Sequence, residues 1–297
     1  MSDGPDRERT DAMLARFRVD SPRGFRLSAH DPADDAGTGI AKDKAPEFLR
    51  AGVERLSLLQ DKLYAQDRWA VVCIFQAMDA AGKDGAIKHA FSGINPQGCH
   101  VAAFKAPSSL ELDEDFLRRH VREMPQRGKI GIHNRSWYEE VLVARVHPEI
   151  LARQQLPDTV VTKHIWEERL EDIAAYERYL SRQGFVVLKF FLNVSPKEQR
   201  KRFLARIEEP EKHWKFQPGD VAERRHWKDY MLFYEEAIRA TAAPHAPWFV
   251  VPADRKWFTR LVVVAAIVRA LEALDLRYPA VTEAQRAAFA EARAALA

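Results

Sequence analysis

Apolar residues along the 297-residue chain fall into two alternating patterns. Phe48, Leu49, Val53, Leu56, Leu59 and Leu63 recur at helical spacing and predict one amphipathic helix from Ala45 to Ala65. Trp69 to Phe75 follows as an unbroken apolar run with β-branched residues, the pattern of a strand buried on both faces. The alternation then continues: a strand over residues 100–104, a helix over Leu112–Met124, a short strand ending at Ile130–Ile132, and a helix over Tyr138–Val146. Phe185–Leu192 is the clearest strand and a helix follows it from Pro196; Trp248–Val251 is the last strand, before a helix over Lys256–Leu274. Five strands separated by helices predict an α/β fold with a parallel sheet covered on both faces. Residues 1–45, rich in Asp, Arg, Gly and Pro, predict an extended arm with a short helix around Ala12–Phe17. Residues 281–297 predict a helical tail. The helical excursion at about 204–245 fits a lid or a separate domain by pattern alone.

Composition narrows the function classes. Apolar residues make up 46% and charged residues 30%, the balance of a globular protein with a sizeable core. A net charge of +3 argues against a histone-like polycation, yet leaves room for a local basic groove. Cys73 and Cys99 are too few for a disulfide scaffold or a four-thiolate zinc site. The best apolar run, Leu261–Val268, is bounded by Arg260 and Arg269 and falls short of the roughly 20 residues of a membrane span. Asp3, Asp6 and Glu8 stand where a signal peptide would have an apolar region. A soluble, cytoplasmic protein with no membrane partner is the expectation.

Chemistry concentrates after the first buried strand, in Ala77-Met-Asp-Ala-Ala-Gly-Lys-Asp-Gly85 and the helix that follows. The run is close to the phosphate-loop pattern G-x-x-x-x-G-K-[ST] in its strand–loop–helix context. Such a loop aims backbone N–H groups and a helix dipole at one anion; Gly82 allows close approach and Lys83 adds a point charge. Two departures stand out: Ala77 replaces the first Gly, and Asp84 replaces the Ser/Thr that ordinarily holds magnesium. Asp79 inside the loop makes sense with magnesium beside it, or as a base toward an incoming phosphate. At the end of the third strand, Asn134 stands where many phosphate-loop enzymes carry an Asp, and Arg135 would face the same crevice. Between Lys197 and Lys228 ten Lys/Arg face six acids, so the chain's positive excess sits there. A solvated helix surface explains such a run; so does a lid that brings Arg202 and Arg206, one turn apart, to transferring phosphates. Trp214, Phe216, Trp227, Tyr230 and Tyr234 could stack on bases or pin the lid to the core. The ten histidines form no metal motif.

Together, Gln76-Ala-Met-Asp-Ala-Ala-Gly-Lys-Asp-Gly85, His133-Asn-Arg-Ser-Trp-Tyr-Glu139, and Arg202-Phe-Leu-Ala-Arg206 with Lys212-His-Trp-Lys215 resemble the polyphosphate kinase 2 family. The resemblance runs from about residue 24 to 279. It implies a P-loop kinase-type fold, similar to thymidylate kinase: a three-layer sandwich with about five parallel strands and a helical lid. It further implies a phosphotransferase domain over 46–280 that moves a terminal phosphate between inorganic polyphosphate and AMP or ADP, forming ADP or ATP. Magnesium is the implied cofactor, with manganese as a substitute, and a homodimer or homotetramer the implied assembly; no nucleic-acid partner is implied. Asp79 would position the metal and accept a proton, while Ala80, Ala81, Gly82, Lys83, Asp84 and Gly85 would cradle phosphate. Arg135 would contact the phosphate chain, with Asn134 and Glu139 beside it in the catalytic set. Arg202, Arg206, Lys212 and Lys215 would grip the chain from the lid. Asn134 and Glu139, in place of the commoner Asp and Asn, are similar to the subgroup that phosphorylates both AMP and ADP. An ATP-dependent kinase of the same architecture and a single-stranded nucleic-acid binder are the competing classes.

Overall fold

The computed structural model describes residues 5–297. Strand β2 (Ala70–Gln76) is buried at every position, as an apolar run without alternation requires when both faces are covered. It lies at the centre of a six-stranded sheet with β3 (Cys99–Ala103), β4 (Ile130–Asn134), β5 (Phe185–Asn193), β6 (Trp248–Pro252) and the two-residue β1 (Arg18–Val19). The order is β1-β6-β5-β2-β4-β3, with β2 to β6 parallel and β1 antiparallel to β6. The five expected parallel strands are therefore present, and a sixth comes from the arm. The chain moves from β2 to β3 and β4 on one side and to β5 and β6 on the other. Beyond the carboxyl end of β2 lies the switch point at which open α/β sheets bind ligands.

Helices α1 (Pro5–Phe17), α2 (Ala45–Gln66), α3 (Lys83–Ala90) and α7 (Lys256–Glu272) cover one face. α4 (Ile165–Arg182) and α6 (Trp227–Thr241) cover the other. α5 (Pro196–Glu208) leads from β5 to the basic segment, and α8 (Glu283–Leu296) stands exposed at the C-terminus. The N-terminal stretch is less extended than its composition suggests. Its helix begins at Pro5, and Met13, Leu14, Phe17, Val19, Phe25 and Leu27 are buried in the main core. The arm then crosses the carboxyl edge of the sheet, where the Asn193 amide donates to the His30 carbonyl (2.8 Å) and Asp254 N–H to the Pro32 carbonyl (3.0 Å).

Two expected helices break into shorter pieces. Leu112–Met124 becomes turns at Ser109–Leu112 and Arg118–Arg122, separated by residues 113–117. Tyr138–Val146 becomes a 3-10 turn at Trp137–Glu140 and one α-turn at Val143–Val146. The latter stretch is buried nearly all round, so no amphipathic stripe favours one long helix. Of the stretch expected to be a lid, α6 packs on the sheet through Tyr230, Tyr234, Ala237 and Ile238, leaving 209–226 as the exposed part.

The α4–α6 face is fixed by a buried ion pair. Lys189 on β5 and Glu177 on α4 meet at 2.5 Å with side-chain exposures of 0% and 1%. Glu177 also accepts from the Tyr138 hydroxyl (2.7 Å) and the Trp137 indole (3.3 Å), and the Lys189 amine donates to the Thr241 carbonyl (2.8 Å). The network joins β5, α4, α6 and the turn after β4. Lys189→Met strands the Glu177 charge, and the expected loss is about 3–5 kcal/mol. Denaturant unfolding measures it; a loss under about 1 kcal/mol contradicts the assignment.

Candidate active site

The loop after β2 turns sharply. Ala80 (φ 59°) and Gly82 (φ 107°) both have left-handed backbone, and Gly82 caps α3. Glycine adopts that conformation without steric cost. The first N–H groups of α3 have no intrahelical partners, and the helix dipole adds positive potential where they point. The eight-residue α3 opens with Lys83, Asp84 and Gly85, so all the expected loop residues, Ala80 to Gly85, lie on this one turn.

Lys83 folds back so that its amine donates to the Ala77 carbonyl at 2.9 Å. Burial and then nearby Arg135 pull its pKa below the ordinary lysine value, while Asp79, Glu139 and Asp84 oppose them. Parallel pairing of β4 with β2 sets Asn134 level with Phe75, which delivers Asn134 and Arg135 to the mouth of the loop. Arg135 takes φ 68°, uncommon for a non-glycine residue, while its N–H donates to the Phe75 carbonyl at 3.0 Å. Its guanidinium lies 3.3 Å from Asp79 and 3.6 Å from Glu139. Glu139 most, and Asp79 next among the charges, hold its pKa above the ordinary arginine value. The Asn134 amide donates to the Asp84 carboxylate at 2.8 Å, so a neutral group orients that carboxylate where an Asp would repel it.

Asp79, Lys83, Asn134, Arg135 and Glu139 thus meet in one crevice. The expected lid cations are placed differently. Arg202 lies beneath the loop with 8% of its side chain exposed, its guanidinium bonded to protein oxygens. Arg206 pairs with Asp220 at 2.9 Å. Burial and then Asp79 raise the Asp220 pKa while Arg206 opposes them, so this carboxylate senses the crevice. Lys212 pairs with Glu209, and exposed Lys215 packs its amine over the Trp214 ring at 4.9 Å.

Two residues named in the sequence reading, Gln76 and Tyr234, take a place in the site that it did not assign to them. The Gln76 amide donates to Glu139 at 2.8 Å, and the buried Tyr234 hydroxyl sits beside that pair. A polar residue closing an otherwise apolar strand was the available signal for Gln76; α6 packing alone brings in Tyr234. Among the described residues no three His, Cys, Asp or Glu side chains gather as a complete metal cage. Asp79 and Asp84 do supply hard oxygens at the loop, and magnesium commonly takes one or two carboxylates and completes its shell with waters and phosphate.

Another cluster of cations lines a cleft of about 280 Å³ at the C-terminal end of α7, the end remote from the crevice. Arg55 there pairs with Glu272 at 2.9 Å, and Arg269 with Asp11 and Glu272 at 2.7 and 2.6 Å. Those arginines are already neutralised.

An anion in the loop favours protonated Lys83, whose pKa in the free protein lies below the ordinary lysine value. Pyrophosphate affinity should therefore weaken with rising pH as Lys83 loses its proton, from a lower pH than an ordinary lysine would give. Calorimetric titration across pH measures this, and Lys83→Met should abolish the alkaline limb. An alkaline limb unchanged in that variant contradicts the placement.

The polyphosphate kinase 2 family model matches residues 40–279. An ADP-polyphosphate phosphotransferase of Rhodopseudomonas palustris is 52% identical over 247 residues, covering 83% of this chain and 86% of the relative. An AMP/ADP-polyphosphate phosphotransferase of Meiothermus ruber is 40% identical over 266 residues, covering 90% and 96%. The crystal structure of polyphosphate kinase 2 from Arthrobacter aurescens superposes with a TM-score of 0.83 at 37% identity, covering 93% and 98% of the two chains. With the phosphate loop at the switch point and the family match spanning all five parallel strands, the chain belongs to the polyphosphate kinase 2 family.

Proposed function

We propose that this protein transfers a terminal phosphoryl group between inorganic polyphosphate and AMP or ADP. One observation carries the reading: the loop N–H groups and Lys83 open into the same crevice as Arg135, Asn134 and Glu139. The relatives named for AMP and ADP support the acceptor class.

Phosphoryl transfer needs alignment and neutralisation of charge far more than covalent chemistry. The loop and Lys83 hold the reacting phosphoryl group, and Arg135 forks onto oxygens of the adjacent phosphate. Gln76 fixes Glu139, which with Asp79 keeps Arg135 charged and oriented. Asp79 stands closest to the loop among the candidate bases, able to take a proton from the attacking nucleotide phosphate. Asp79 and Asp84 would hold magnesium, which when bound shields the phosphate charges from one another. The exposed segment 209–226 carries Asp220, which feels the Asp79 charge, so its partner Arg206 lies within reach of a polymer in the crevice.

The test is a transfer assay with magnesium and polyphosphate as the only donor, offering AMP, ADP and GDP separately. ADP and then ATP should form from AMP. Lys83→Ala should lower kcat/KM by roughly a thousandfold while the circular dichroism spectrum and Tm stay near wild type. Transfer from ATP but never from polyphosphate would overturn the proposal, as would near-normal turnover by that variant.

A further inference from the structure

A loop that receives an anion must send its carbonyl dipoles elsewhere. Across a trans peptide the carbonyl of one residue and the N–H of the next point in opposite directions. Capturing a carbonyl on one side therefore aims an N–H to the other. In this protein three successive loop carbonyls are captured from a single turn of α5. The Gln199 amide donates to the Asp79 carbonyl at 2.9 Å. Arg202 Nη1 donates to the Ala80 and Ala81 carbonyls at 3.2 and 2.5 Å.

The remaining atoms of these side chains are also engaged. Arg202 Nη2 donates to the Ala253 carbonyl at 2.6 Å, just after β6, and Nε to Glu198 at 2.9 Å. Gln199 Oε1 accepts from Arg224 at 2.5 Å, and the same guanidinium reaches the Pro196 carbonyl at 3.4 Å. Gln199 is 1% exposed and Arg202 8%. α5 is anchored in turn, since Ser195 caps it by accepting from Glu198 N–H at 3.1 Å and Asp254 accepts from Ser195 N–H at 2.8 Å.

We infer that Gln199 and Arg202 are positioning residues that hold the phosphate loop in its anion-accepting form before any phosphate arrives. They act through the backbone: the carbonyls of Asp79 and Ala81 are turned toward α5, so the N–H groups of Ala80 and Gly82 face the other way, into the crevice. The Ala80 carbonyl completes the set; its partner N–H, on Ala81, closes the turn by donating to the Met78 carbonyl at 3.2 Å. A side-chain carbon at position 82 would come 3.6 Å from Arg202 Nη1, which places the guanidinium directly under the turn. Arg202 thereby differs from a lid arginine that grips the polymer. The fork, unlike a lysine amine, reaches the loop carbonyls and the Ala253 carbonyl just after β6 at once.

The inference rests on the phosphoryl-transfer reading above, and two readouts separate the failure of one from the failure of the other. The full-length chain, Arg202→Lys and Gln199→Leu are compared by hydrogen exchange in the absence of any ligand, and by turnover of AMP with magnesium and either tripolyphosphate or long-chain polyphosphate. Loop amides in peptides covering 77–86 should exchange faster in both variants without ligand, with α2 and α7 unchanged. kcat/KM per folded molecule should fall roughly tenfold or more in Arg202→Lys, and several-fold in Gln199→Leu, by the same factor for short and long donors. Unchanged loop exchange in both variants overturns the inference. So does a loss confined to long donors, which marks a direct grip on the polymer, or a lowered Tm with normal turnover per folded molecule. Should Arg202→Lys fail to fold, Gln199→Leu decides by the same readouts. If the wild type transfers no phosphate, the exchange result still judges the clamp, and only the proposed function falls.

Discussion

Every element of the site is placed relative to one peptide turn. Between Met78 and Lys83 the backbone must present donors to an anion while its own acceptors are satisfied away from it. That demand explains the left-handed backbone at Ala80 and Gly82 and the helix that starts at Lys83. It also explains why the loop sits on the central strand. β2 is flanked by β4, which delivers Asn134 and Arg135, and by β5, which launches α5 beneath the loop. The Lys189–Glu177 pair acts one layer below, holding β5 and the turn after β4 in register on a face where a shift would move both walls of the crevice.

Charge is arranged in pairs rather than as a uniformly basic surface. Arg135 stands between Asp79 and Glu139, Arg206 against Asp220, and Lys212 against Glu209. The near-balance of 46 Lys and Arg against 43 Asp and Glu, a net charge of +3, makes such pairing available. On the proposed function, a polyanion exchanges with carboxylates that already hold the cations, and its binding depends on local geometry more than on long-range attraction, which salt screens within about 10 Å. The partly shielded carboxylates also leave oxygen donors at the loop for a divalent ion.

Much of this was legible in residue order because burial on both faces and helix periodicity are local signals. β2, β5 and the loop between β2 and α3 stand out as apolar runs and a glycine–lysine turn. Strand β1 did not, since two residues carry no period, and its antiparallel pairing with β6 depends on Phe17 and Val19 finding the core. α4 went unmarked although Ile165, Leu170, Ile173 and Leu180 recur along it, because charges interleave with them closely. In the site, Asp79, Lys83 and Arg135 were readable from motif and strand end. The placement of Arg202 was not: in a run of ten cations it reads as a surface group or as a lid arginine on the phosphate chain, and only tertiary packing shows its guanidinium spent on backbone carbonyls.

The most direct measurement follows backbone amide resonances of the labelled protein as magnesium tripolyphosphate is added. The largest shifts should fall on the amides of Gly82, Lys83, Asp84, Gly85 and Arg135, with the rest of the sheet unmoved. Shifts concentrated instead at Arg55 and Arg269, at the far end of α7, with the loop silent, would contradict the account.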